Sequence, residues 1–190
     1  MIRMFGFRKF IFLAAGLLLL IIATFGVVQA HRSDQTGELW QDISESSLPP
    51  GAERLASFRD GRTLLLNVPS MQALLSATPM ESDPDRTARL VTLSLPMPDG
   101  SIQRFAVYEA PIMAPELAAR YPQIRTYAGQ GIDEPSASTR LDLTPHGFHA
   151  IVNTSQGTVF IDPLLKGDIT RYASYYKKDY MLRPGVVFTE

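Results

Sequence analysis

Two histidines three residues apart, His146 and His149, come nearest in type and spacing to a metal site. Imidazole nitrogen is a common zinc ligand, but residues i and i+3 of a strand face opposite sides. Both could bind one metal only if the turn at Gly147 bent them together. The third histidine of the chain is His31, and no His-Glu-x-x-His motif is present. We therefore predict a turn followed by a strand at this position, and no metal site.

Other sequence patterns that carry chemistry are also missing. No Gly-x-Ser-x-Gly elbow is present to expose a serine nucleophile, and Gly129-Gln130-Gly131 lacks the third glycine of a dinucleotide-binding loop. The chain contains no cysteine, so thiolate nucleophiles, thiolate zinc ligands and disulfides are all excluded. The sequence predicts a domain that is not an enzyme and that binds no cofactor of its own.

The first 30 residues have the composition of an export signal. Basic residues near the start precede an uncharged apolar run, 10–30, which closes with Val28-Gln29-Ala30. Small side chains at such positions are recognised by signal peptidase, so we predict a signal peptide, 1–30, cleaved between Ala30 and His31. The alternative is an uncleaved anchor, because a membrane-spanning helix needs about 20 apolar residues. In both cases the rest of the chain is exported, and membrane contact is expected only through residues 10–30 of an uncleaved leader.

The exported part is mildly acidic. The leader carries three of the 18 basic residues and none of the 19 acidic residues, which leaves a formal net charge of −4. This charge argues against nucleic acid and anionic lipid surfaces as partners. The length of the exported part fits one domain with a core of its own, secreted or held in the periplasm or cell envelope.

Short runs of alternating apolar and polar residues, separated by glycine and proline, dominate the exported part. The clearest pair, Leu90–Leu95 and Ile102–Tyr108, flanks Pro96–Gly100 and predicts a β-hairpin. Further strands are predicted at Thr63–Asn67, Ile124–Ala128, Arg140–Thr144, Gly147–Asn153 and Thr158–Asp162. Short helices are predicted at Ser70–Ala77 and Pro115–Arg120, each with a proline at its start. The expected fold is mainly β (α+β): an antiparallel sandwich-like or barrel-like sheet with two short helices, preceded by the signal peptide helix.

These patterns divide the chain into four parts. The signal peptide is followed by a polar arm or linker (31–61), a β-rich domain (62–180) and a tail or linker (181–190). The acidic segment 80–89 has no neighbouring histidine and is interpreted as a solvated loop. The tyrosine-rich segment 172–180 is interpreted as a final strand or a tether, suited to a sheet edge or a docking surface.

Several segments of the β-rich domain occur in an order that resembles one known family. They are Leu95–Gly100, Phe105–Met113, Leu117–Asp133, Thr144–Ala150, Phe160–Pro163 and Tyr175–Tyr180. They resemble the N-terminal, propeptide-like region of secreted bacterial reprolysin-like (adamalysin-type) zinc metalloproteases, over about residues 62–180. In that family the zinc is bound by an extended His-Glu-x-x-His-x-x-Gly-x-x-His motif in a downstream catalytic domain, and this sequence lacks that motif.

The resemblance implies a non-catalytic pro-region of an exported zinc metalloprotease, which assists folding or latency of the catalytic domain. The implied partner is that domain, in cis and downstream, and zinc is expected only there. No catalytic residue carries over to this chain. Many propeptides of the family block the zinc with a cysteine, which this sequence does not have. The alternative function is a stand-alone exported β-rich binding module of the cell envelope.

A glycine-rich loop is the predicted docking surface for such a partner. It comprises Tyr127, Gly129, Gly131, Ile132 and Asp133. Glycines permit close backbone approach, Ile132 offers an apolar contact, and the Asp133 carboxylate could reach a metal or a basic rim. The alternative is that the two glycines only shape a turn.

The predicted cleavage site can be tested directly. We expect the mature protein to begin at His31, because the sequence turns polar immediately after Ala30. N-terminal sequencing of extracytoplasmic material measures this. Recovery of intact Met1 in a membrane pellet would show instead that the apolar run anchors the chain.

Overall fold

The computed structural model of the chain describes residues 39–181, and this part is built mainly from β-strands. The strands are β1 (Trp40–Asp42), β2 (Gly61–Leu66), β3 (Val91–Pro96), β4 (Ile102–Glu109), β5 (Arg125–Gly131), β6 (Ser138–Thr144), β7 (Gly147–Thr154), β8 (Gly157–Pro163) and β9 (Arg171–Tyr176). The helices are α1 (Val68–Ser76), α2 (Arg86–Arg89) and α3 (Pro115–Arg120), with 3-10 turns at Glu45–Ser47 and Lys177–Asp179. The predicted signal peptide helix, with its cleavage site at Ala30 and His31, lies outside the described residues.

All nine strands belong to one antiparallel sheet in the spatial order β1-β2-β9-β8-β7-β6-β5-β4-β3. Strands β3 to β8 form a meander, whereas β9 lies between β8 and β2. The sheet curls into a nearly closed barrel-like structure, so the expectation of a mainly β, antiparallel, barrel-like fold is confirmed. No helix within residues 39–181 has the length and apolar character that crossing a membrane requires.

Side chains, rather than a continuous ladder, bring the β3 end of the sheet against the β1, β2 and β9 end. The Trp40 indole Nε1 donates to the carbonyl of Ser94 at 3.2 Å. The Ser174 hydroxyl donates to the carbonyl of Pro96 at 2.7 Å, and the Arg62 guanidinium donates to the carbonyl of Met97 at 3.1 Å. These bonds satisfy carbonyls that an open edge would leave to water.

The interior of the barrel is apolar and centred on three aromatic rings. Trp40 packs edge-on against Phe148 and Tyr172, with ring centroids 5.8 and 5.5 Å away. The backbone N–H of Phe148 donates to the Tyr172 hydroxyl at 2.9 Å, so the phenol has a polar partner inside the core. Gly147 adopts φ +124°, and a Cβ there would lie 2.8 Å from Pro163 Cγ. The turn before β7 therefore requires glycine both for its backbone angle and for space.

Helix α1 extends this core at one side of the sheet. Its Met71 and Leu75 side chains are fully buried in the same apolar cluster. The helix begins after Asn67, whose side chain accepts a hydrogen bond from the Ser70 backbone N–H, and a proline occupies its first turn. The local sequence thus supplies both the helix start and the apolar face.

Three segments differ from the sequence-based expectation. From Leu39 onward the predicted polar arm packs on the barrel, because Trp40 is a core residue and 54–58 forms backbone bridges to Leu165 and Tyr180. The predicted loop 80–89 contains the short helix α2. Strand β9 is flanked on both sides, by β2 and β8, and so does not form a sheet edge.

The closure of the barrel can be tested at Ser174. Replacing it with alanine leaves the buried Pro96 carbonyl without its donor, which costs about 1–3 kcal/mol of unfolding free energy. Urea unfolding followed by Trp40 fluorescence measures this. The matched control is Ser76→Ala, because the Ser76 hydroxyl makes an exposed hydrogen bond of the same 2.7 Å length to Ala73. We expect the control to change stability by less than about 0.5 kcal/mol; equal effects would contradict the proposed role of Ser174.

Candidate functional site

A large concavity lies on the outer face of strands β5 to β9, and we call it the outer groove. Its volume is about 1330 Å³. Leu55 and Ala56, from the segment before β2, and Tyr180, after β9, line one side. Ala110 and Ile112, from the connection between β4 and α3, line the other. The floor is the sheet itself.

A row of polar side chains crosses the floor. The strand register places Thr126 of β5 opposite Asp142 of β6, and Asp142 opposite His149 of β7. Asp162 of β8 lies next in the row, within hydrogen-bonding distance of His149. Because side chains alternate along a strand, these four face outward while their buried neighbours fill the barrel.

The centre of the row is a hydrogen-bonded network. The Nδ1 atom of His149 lies 2.9 Å from Oδ1 of Asp162, and the Tyr175 hydroxyl donates to Oδ2 of Asp162 at 2.8 Å. The hydrogen bond to Asp162 raises the pKa of His149 above 6.5, although partial burial opposes this shift. Burial raises the pKa of the Asp142 carboxyl, and burial likewise raises the pKa of the Tyr175 phenol.

A second row, parallel to the first, is mainly apolar. Arg140 lies opposite Ile151, Ile151 opposite Phe160, and Phe160 opposite Tyr175. Ile151 is 45% exposed, and Ile112 at the side of the groove is 78% exposed. Large apolar side chains that share one exposed concavity are typical of a surface that contacts another molecule.

The polar groups of the outer groove are hydrogen-bonded mainly to one another. The Asp162 carboxylate already accepts from His149 and Tyr175, and no serine or threonine is hydrogen-bonded to this imidazole within the described part of the chain. Between residues 39 and 181, no group of three or more His, Cys, Asp or Glu side chains is arranged to hold a metal ion. Both histidines line the outer groove: His146 is exposed in the turn before β7, and His149 faces the groove from the strand.

The predicted docking loop divides into a buried and an exposed part. Tyr127 is 1% exposed, and burial raises its pKa to about 12. Gly129 and Gly131 lie within β5. A Cβ at Gly129 would come within 2.8 Å of both Thr139 and Val107, and a Cβ at Gly131 within 2.1 Å of the Glu134 carbonyl. Close packing inside this domain therefore accounts for the presence of glycine at both positions.

The other two docking residues lie after β5. Ile132 is 41% exposed, so its side chain is available to a partner. Asp133 accepts a hydrogen bond from the backbone N–H of Arg104 at 2.8 Å and pairs with its guanidinium. That interaction lowers the pKa of Asp133. Docking at this loop remains a prediction, and Ile132 is the side chain that can test it.

Sequence reasoning did not identify Asp142, Asp162 or Tyr175 as site residues. Each occupies an outward position of a predicted strand or of the tyrosine-rich segment. The alternation of apolar and polar residues therefore indicates weakly that these side chains lie on the outer surface. Which outward residues become neighbours depends on the register between strands. That register follows from the turns and from the closure of the barrel.

Comparison with known proteins finds no matching family model, no matching curated protein and no matching solved structure. The fold and the outer groove define the class of this protein only as a mainly β, barrel-like domain with an open surface groove. Any narrower assignment rests on the residues themselves.

The network at the centre of the groove predicts a pH-dependent stability. Because the folded protein favours the charged His149, this contribution is fully present below pH 6.5 and is lost as the pH rises through the higher folded-state pKa. The free energy of unfolding of the unmodified chain should therefore fall as the pH rises above about 6.5. His149→Gln should flatten this decrease, as measured by urea unfolding at each pH.

The control for this prediction is His146→Gln, which removes an exposed histidine without a carboxylate partner in the described part of the chain. It should retain the pH dependence of the unmodified chain. If His149→Gln retained it as well, the ion pair with Asp162 would contribute nothing measurable to stability.

Proposed function

We propose that the β-rich domain is a non-catalytic pro-region of an exported zinc metalloprotease, and that it binds the protease's catalytic domain through the outer groove. By binding there it assists folding of the catalytic domain or holds it latent. No catalytic residue and no zinc ligand is assigned to this chain.

The observation that carries the proposal is where the segments of the family resemblance lie in the fold. One of them supplies Ala110 and Ile112 at the side of the groove, and others supply His149 and Asp162 on its floor. The last supplies Tyr175 and Tyr180 at the opposite side. Most of the groove therefore comes from these separate stretches of sequence, which supports a shared binding role for them.

The shape and chemistry of the groove fit a polypeptide partner. Its volume of about 1330 Å³ is large enough for several residues of an extended chain. The apolar row with Ile151 and Phe160 offers contact area, and the row with Asp142 and His149 offers hydrogen bonds that fix orientation. Because the sequence contains no cysteine, latency would come from covering the catalytic cleft and not from a thiolate bound to zinc.

The second candidate is a stand-alone exported binding module of the cell envelope. The observation that favours it is that residues 39–181 bury a core of their own, with Phe105, Phe148 and Tyr172 fully inaccessible. A domain that folds around its own core needs no covalently attached partner. In this case the outer groove would bind another envelope component.

The reading frame after codon 190 discriminates between the two candidates, since an encoded His-Glu-x-x-His motif is required by the first. Given that motif, residues 31–190 should raise the yield of active catalytic domain on refolding, or inhibit the refolded domain. We expect Ile151→Glu to weaken this effect about tenfold or more, because it places a charge on the apolar floor. Refolding yield and inhibition of casein hydrolysis are the measurements.

The matched variant is Ile132→Glu, which introduces the same charge at a side chain of similar exposure in the predicted docking loop. An effect confined to Ile151→Glu would support the groove, and an effect confined to Ile132→Glu would move the contact to the loop. A frame that closes without the motif, or two variants that both act like the unmodified domain, would contradict binding of a protease through the groove.

A further inference from the structure

We propose that the outer groove contains a subsite for an arginine side chain of the bound polypeptide, with Asp142 as the acceptor. The guanidinium binds the Asp142 carboxylate, and the methylene groups of the arginine lie against Ala110 and Ile112. This inference rests on the proposed function, because it describes one side chain of the polypeptide that binds in the groove. It assigns to Asp142 the selection of that side chain.

Asp142 has two carboxylate oxygens without a partner in the described part of the chain. It is half-buried on β6 and lines the groove. No hydrogen bond or ion pair between described residues reaches its carboxylate. The other carboxylate of the floor, Asp162, already accepts from His149 at one oxygen and from Tyr175 at the other. The unused acceptor capacity of the polar row is therefore at Asp142.

The residues around Asp142 form no hydrogen bond with it. The Thr126 hydroxyl donates to the carbonyl of Ala110 at 2.7 Å, and the Nδ1 atom of His149 is hydrogen-bonded to another carboxylate. Arg140, the basic residue of the same strand, belongs to none of the ion pairs between described residues. Burial already raises the pKa of Asp142, so a partner that covers the groove must supply a cation or leave the carboxyl protonated.

The surroundings of Asp142 favour arginine as that cation. Two free oxygens can accept the two parallel N–H donors of a guanidinium, whereas a lysine ammonium is a point charge. The N–H of Ala110 donates to the carbonyl of Thr126 at 2.8 Å, so the apolar side of the groove runs beside the polar row. Ile112, two residues farther on, is 78% exposed. The methylene groups of an arginine can pack there while the head reaches the carboxylate.

Short peptides test the subsite without the protease domain. The probes are acetyl-Leu-Arg-Leu-amide and the same peptide with citrulline, which replaces the guanidinium with a neutral group of nearly the same shape. Added to residues 31–190, the arginine peptide should shift the backbone amide resonances of Thr126 and His149, the two neighbours of Asp142 in the register. We expect the citrulline peptide to bind about fivefold more weakly or worse.

The variant Asp142→Asn keeps the size of the side chain and removes its charge. It should lower the affinity for the arginine peptide to that for the citrulline peptide. The control is Asp85→Asn, which removes the same charge from an exposed side chain at the start of α2 and should bind like the unmodified chain. Equal affinity for the two peptides, or no shifts with either, would overturn the proposal. A lysine peptide that binds as tightly as the arginine peptide would overturn the assignment to arginine.

This inference and the proposed function can fail separately. If Ile151→Glu weakens protease inhibition but Asp142→Asn leaves peptide binding unchanged, the arginine subsite is wrong and the groove remains the protease contact. If the reading frame closes without the zinc motif, the peptide titration still decides whether Asp142 selects arginine.

Discussion

A nine-stranded sheet with one apolar face must either be covered or curl until its ends meet, and this protein curls. Side-chain hydrogen bonds connect the two ends of the sheet: Trp40, Arg62 and Ser174 donate to backbone carbonyls in and just after β3. Each of these donors starts from the opposite end of the sheet. These bonds hold the β3 end against the rest of the sheet, and that contact encloses the apolar cluster in which Phe148 and Tyr172 pack.

The same closure determines what the outside of the sheet can do. Once alternate residues are committed to the interior, the remaining ones form rows across the strands, at the spacing of the sheet. Asp142 and His149 become neighbours for this reason, and so do Ile151 and Phe160. The result is a polar row beside an apolar row, flanked by the segments around Leu55 and Ile112, and this is the surface through which we propose that another polypeptide binds.

The sequence alone predicts the local parts of this arrangement well. The hairpin of β3 and β4 follows from alternation around Pro96–Gly100, and α3 follows from Pro115, since both depend on neighbouring residues. The position of β9 does not follow from neighbouring residues, because β9 pairs with β2 and this pairing joins Gly61 to Tyr175, about 110 residues apart. The groove cannot be predicted from the sequence for the same reason. Nothing distinguishes His149 and Asp162 from other strand residues until the register between the strands is known. Tyr127 was predicted as a surface contact because nothing in its surroundings in the sequence shows that β5 turns it inward.

The central position of β9 has a consequence for the order in which the molecule can fold. The strands β3 to β8 form a meander whose neighbours are close in sequence, and β1 and β2 form a separate pair. Only β9, the last of the strands between residues 39 and 181 to be synthesised, joins the two. At a synthesis rate of about 5–20 residues per second, β2 waits roughly 5–20 s for its second neighbour. Throughout that interval β2 presents an unpaired edge, and β8 joins it briefly, from its own synthesis until β9 follows. The nascent chain is therefore most prone to mispairing just before β9 appears.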